Sequence, residues 1–124
     1  MARLGRAALL AVTLLTAALG LSACGTGGAV ADARASCVYV HRALALQARS
    51  RAPGLPSARR AYLASWAVAV LLKGTPAAAQ ATSADGSWNP LMTTINEAER
   101  VPLENLVATL TRMCAIADSS TPYL

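Results

Sequence analysis

Hydrophobic and polar positions divide the chain into one continuous apolar run followed by a series of striped segments. Leu9, Leu10, Val12, Leu14, Leu15, Leu19 and Leu21, spaced by alanines, make the continuous run. Beyond it, apolar residues recur roughly every three to four positions, the spacing of a helix with one buried face. Over 32–50, Cys37, Val40, His41, Leu44 and Ala48 share such a face, and Val38, Tyr39 and Leu46 widen it. His41 is therefore expected to be a satisfied, partly buried histidine. Pro53, Gly54 and Pro56 break the pattern, because this pair of residue types favours turns. A second helix is predicted over 57–73, with Leu63, Trp66, Ala67, Val70 and Leu71 inward and Ser57 as its N-cap. Lys73, Gly74 and Pro76 punctuate its end. A cation suits the last turn, glycine the position after it, and proline cannot continue the helix.

The next stretch, 76–84, is alanine-rich and has no large apolar anchor. It reads as a short, weakly packed helix capped by Thr75, with a loop as the alternative. Asp85, Gly86 and Ser87 end it. Asn89 is placed to cap another helix with Pro90 at its first position, and Leu91, Ile95 and Ala98 mark its face. The last helix is predicted over 102–118, with Leu103, Leu106, Val107, Leu110, Met113, Cys114 and Ala117 inward. Glu104 falls in its first turn, where a carboxylate suits the helix dipole. No good cap precedes Pro102, so these last two segments are alternatively one helix kinked there. No strand pattern, internal repeat or heptad run is present. The fold class is all-α, a small up-down bundle of about four helices.

The continuous run follows Arg3 and Arg6 and ends at Leu21-Ser22-Ala23-Cys24. A short positive segment, an apolar segment and small residues are the layout of a secretory signal. With the cysteine in place it resembles the lipobox of bacterial lipoproteins. The resemblance covers only the first 24 residues or so and implies no family for the rest of the chain. It implies a leader over 1–23, removed to leave Cys24 as the first residue with a diacylglyceryl thioether. Two acyl chains anchor stably, where one holds only marginally. The implied location is the extracytoplasmic face of the cell membrane. Two other readings of the run are an uncleaved anchor, short against the roughly 20 residues of a spanning helix, and an ordinary secretory cleavage after Ala23. Residues 24–31, with Gly25, Gly27 and Gly28, read as a flexible tether, and Ala29 to Arg34 as a transition for which helix is the alternative. A phosphate-cradling loop is a poor reading, because no Lys-Ser/Thr follows.

Removing the leader leaves about 100 residues, one small domain over 32–118 with a tail at 119–124. Arg3 and Arg6 belong to the leader, so the formal charge of +5 falls to about +3 in the remainder. The 55% hydrophobic content is inflated by alanine, and there is no Phe. A core this thin benefits from a covalent staple. With Cys24 lipidated, Cys37 and Cys114 are the two remaining thiols, and an exported compartment permits their oxidation. The bridge closes a loop of about 78 residues. Cys37 lies near the start of the first helix and Cys114 near the end of the last, so they meet only if these two helices are antiparallel. An even number of up-down elements satisfies this; a strict three-helix bundle does not. Two buried free thiols, or a metal held by Cys37, His41 and Cys114, are the alternatives. Zinc wants four ligands or three plus water, and His41 is the only histidine, so no metal and no cofactor are expected.

The same single histidine leaves little catalytic chemistry, and the chain is not expected to be an enzyme. Glu97, Glu99 and Glu104 read as helix-surface carboxylates rather than an acid–base pair. The candidate binding residues are Arg49, Arg51, Arg59 and Arg60, around the first turn. Their guanidiniums could meet an acidic envelope protein, anionic lipid headgroups or a cell-wall polymer. Nucleic acid is not an expected partner, since no base-stacking aromatics accompany the arginines. Trp66 and Trp88 read as core or half-buried anchors, with Trp88, Pro90 and Met92 as the alternative rim of an apolar groove. The expected role is a membrane-anchored, non-catalytic interaction module of the cell envelope. The alternatives are a lipoprotein that binds a small apolar ligand, or a secreted helical protein if Cys24 is not lipidated.

Overall fold

The computed structural model describes residues 26–119. The leader 1–23, Cys24 and residues 120–124 of the predicted tail lie outside them. The described chain is helical: α1 Thr26–Ser50, α2 Ser57–Leu72, α3 Thr75–Ala84, α4 Asn89–Glu97 and α5 Val107–Ser119. Short 3-10 turns cover Gly86–Trp88 and Leu103–Asn105. Among the described residues, no helix is long and apolar enough to cross a membrane.

The predicted start of the first helix at 32 is corrected to Thr26, so residues 26–31, read as tether, are helical. Gly27 and Gly28 weaken a helix in isolation. Ala29 and Ala33, both fully buried, give this first stretch a face that packs and overrides the propensity. At 25 residues, α1 is about 37 Å long, and α2, α3 and α5 all pack on it.

Five contacts set the direction of every limb. Ser36 Oγ donates to the Gly74 carbonyl at 2.9 Å, placing the α2–α3 corner halfway along α1. The α2 helix thus returns along the C-terminal half of α1, and α3 continues along the N-terminal half. Thr75 Oγ1 lies 3.4 Å from Asn96 Oδ1, so α4 runs back beside α3. Arg51 of the first turn bonds Glu104. Arg34 Nε donates to the Ala117 carbonyl at 2.8 Å, and Cys37 is bonded to Cys114 with 5.5 Å between Cα atoms. The α5 helix is therefore antiparallel to α1, as the cysteine positions predicted. The bundle has four limbs, α1 up, α2 and α3 down, α4 and 98–106 up, α5 down.

Small residues allow this packing. Ala78 and Ala81 of α3 are fully buried, so the alanine-rich segment is a well-packed helix rather than a loop or a weak one. Helix axes approach as closely as the side chains between them permit. Gly74 belongs to the same arrangement: a Cβ there would sit 3.0 Å from Ser36 Oγ, 3.1 Å from the Ser36 carbonyl oxygen and 3.2 Å from that of Leu71. Gly74→Ala is expected to push α1 from the corner and to cost about 1–3 kcal/mol, measured by chemical denaturation. A cost below about 0.5 kcal/mol would mean that the corner is not tightly held.

The helix boundaries follow from the prolines and caps, with corrections. Pro76 and Pro90 lie in the first turns of α3 and α4, where the missing N–H is harmless. Asn89 opens α4 and Trp88 precedes it as cap residue. Ser57 is the first residue of α2, not a capping side chain. The last helix begins at Val107 rather than Pro102, because Pro102 is extended at ψ 132° and a 3-10 turn intervenes. Glu104 therefore lies in that turn, and α4 and α5 are separate helices rather than one kinked helix. Asp85 accepts from the Ser87 N–H at 3.0 Å. That backbone bond, with help from the Ser87 hydroxyl, holds its carboxyl below the usual range.

The core gathers Val40, Leu63, Leu71, Leu91, Ile95 and Leu110 around the disulfide. No buried side-chain nitrogen or oxygen among the described residues lacks a hydrogen-bond partner. His41 corrects the expectation of partial burial: its ring is exposed and lies 3.0 Å from the Asp118 carboxylate. Ala48 is likewise exposed, and the buried stripe of α1 runs instead through Ala29, Ala33, Ser36, Cys37, Val40, Ala43, Gln47 and Ser50.

Candidate functional site

Only Gly25 separates Cys24 from the first residue of α1. The longest of the described helices, α1, is tied to α5 in the core through Cys37 and Cys114, both fully buried. Both sulfurs of that pair are consumed in the bond. Among the described residues, no group of three or more His, Cys, Asp or Glu side chains is arranged to hold a metal ion.

The four arginines of the first turn have different neighbours. Arg51 is ion-paired with Glu104, and Arg60 faces the same hollow beside Gln47 and Ser50. Exposed pairs of this kind contribute about 0–1 kcal/mol, so the pairing matters for charge rather than for stability: it neutralises Arg51. Arg59 instead places its guanidinium 5.7 Å from the centre of the Tyr62 ring. Arg49 points to the other side of α1, into a groove shared with α2. The carboxylates are dispersed as well. Glu97 pairs with Arg100 at 2.7 Å, and Asp118 is occupied by His41.

The groove was not foreseen. It has a volume of about 430 Å³ and opens to solvent between α1 and α2. Tyr39, Leu46, Trp66 and Val70 make its apolar lining. Arg42, Arg49 and Lys73 border it. Tyr39, Arg42, Leu46 and Arg49 follow the three- and four-residue spacing of one face of α1, a face that flanks the buried stripe and shares Leu46, 7% exposed, with the core. On α2, Trp66, Val70 and Lys73 are spaced the same way. Trp66 stays 45% exposed, the half-buried rather than the core one of its two expected positions. Its ring centroid is 6.0 Å from that of Tyr62, extending the aromatic surface along α2. Trp88 is the opposite case: at 5% exposure it is a core residue and cannot rim a groove with Pro90 and Met92.

In the sequence the apolar lining reads only as part of the two inward faces, Tyr39 and Leu46 on one helix and Trp66 and Val70 on the other. Neither face alone indicates a groove. Only the antiparallel register of α1 and α2 brings them together. In comparisons with known protein families, curated proteins and solved structures, the chain matches none.

Proposed function

We propose that the protein is a lipid-anchored lipoprotein of the extracytoplasmic membrane face, and that it acts by binding rather than by catalysis. The observation that carries the anchoring is the junction between signal and fold. Leu21-Ser22-Ala23-Cys24 is separated from α1 by one residue, Gly25. A diacylglyceryl group on Cys24 would hold the bundle close to the bilayer surface. The single histidine is engaged with Asp118 at the exposed surface, and both core cysteines are oxidised. The α1–α2 groove presents exposed Arg42, Arg49, Trp66 and Lys73 side chains, which favours ligand binding as the second reading, alongside assembly with another envelope protein.

Labelling cells with an alkyne fatty acid tests the anchor. The protein is expected to take up label, and the Cys24→Ser variant is expected to take up none. Absence of label in the unaltered protein, or its persistence in Cys24→Ser, would refute lipidation at this residue.

A further inference from the structure

The α1–α2 groove brings together an apolar floor and cations that have no counter-ion among the described residues. Arg42, Arg49 and Lys73 make no ion pair among the described residues, and none of the acidic side chains lines the groove. Arg51, Arg100 and Arg34 differ: each has a carboxylate or carbonyl partner. Keeping three like charges together raises the local potential and favours an anion. Tyr39, Trp66 and Val70 line the same groove, a surface for an apolar body. Arg42 and Arg49 are seven residues apart on α1, about 10 Å along its axis, and Lys73 is at the end nearer the Ser36–Gly74 corner. A volume of about 430 Å³ is in the range of small-molecule sites, roughly 300–1,000 Å³.

We propose that this groove binds an anionic amphiphile, with an acyl or aryl body on Tyr39, Trp66 and Val70 and a carboxylate or phosphate group held by Arg42, Arg49 and Lys73. Neither part alone accounts for the site. An apolar ligand leaves the cations unmatched, and a simple anion leaves Trp66 exposed. The proposal goes beyond membrane anchoring and stands whether or not Cys24 carries a lipid.

The test is calorimetric titration of octyl phosphate into the full protein mixed with phosphatidylcholine nanodiscs, which serves the anchored and the unanchored protein alike, with discs alone subtracted. Octanol and inorganic phosphate are titrated in parallel. Octyl phosphate is expected to bind at least about tenfold more tightly than either, since a charge-assisted hydrogen bond is worth about that factor. The triple variant Arg42→Gln, Arg49→Gln, Lys73→Gln and the variant Trp66→Ala are each expected to lose about tenfold or more. All four side chains are at least partly exposed, so thermal melts of both variants should remain near that of the unaltered protein, which shows that they fold. Octanol binding as tightly as octyl phosphate would overturn the proposal, as would inorganic phosphate doing so. Unchanged affinity in the folded triple variant would also overturn it. Discs containing phosphatidylglycerol separate the sources. Loss of octyl phosphate binding there supports a bilayer headgroup as occupant, and retention supports a free amphiphile.

Discussion

Replacing Cys37 and Cys114 together by alanine is expected to lower stability by about 4 kcal/mol. The two cysteines are 77 positions apart, and closing a loop of that length removes about 4.5 kcal/mol of unfolded-chain entropy as an upper figure. The bond joins the first limb to the last. The core it supports has no Phe and relies on alanines where α1 meets α3. Domains of this size have about 5–15 kcal/mol in total, so the loss is a large fraction. At about 4–8 °C per kcal/mol, the melting temperature should fall by about 15–30 °C. Thermal melts of the double variant, and of the unaltered protein under reducing conditions, should agree. A fall of less than about 5 °C would show that the four-limb arrangement holds without its staple.

Leu71→Ala is the next most damaging change. Leu71 is fully buried in the last turn of α2, just before the Gly74 corner. Removing its isobutyl group should cost about 3 kcal/mol, within the usual range of about 2–5 for such sites. Little collapse is available, because the corner is held on one side by Ser36 and the disulfide ties α1 to α5 nearby. Trp66→Ala removes a larger side chain from the same helix, yet it should cost less, since Trp66 keeps nearly half its surface in water. Denaturant titration of the two variants decides the order. A greater loss for Trp66→Ala would mean that the groove face of α2 is a packed interior.

Much of the fold could be read where residue type dictates backbone geometry. Lys73-Gly74-Thr75-Pro76 marks a helix end and a helix start in four residues, and α2 and α3 meet there. The oxidised pair Cys37 and Cys114 demanded an antiparallel first and last helix, and α1 and α5 are so arranged. The errors came from residues whose effect depends on a neighbouring element. Ala29, Ala33, Ala78 and Ala81 carry little hydrophobic signal, yet between α1 and α3 they are core. Gly27 and Gly28 spoke for a tether, but burial of the next turns extends α1 through them. His41 sits between Val40 and Leu44, but the buried stripe turns through Ser36, Ala43 and Gln47, whose residue types carry little apolar signal, and this leaves His41 in solvent. The groove depends on the register of two helices, which no single stripe reveals. The arginines of the first turn are near in sequence, but Glu104 and Tyr62 divide them among three surroundings.

The most direct test of the account is the intact mass of the protein isolated from its native membrane, before and after reduction. The account predicts a chain beginning at Cys24 that carries a diacylglyceryl group and gains two hydrogens on reduction. An unmodified Cys24, retention of residues 1–23, or no change in mass on reduction would contradict it.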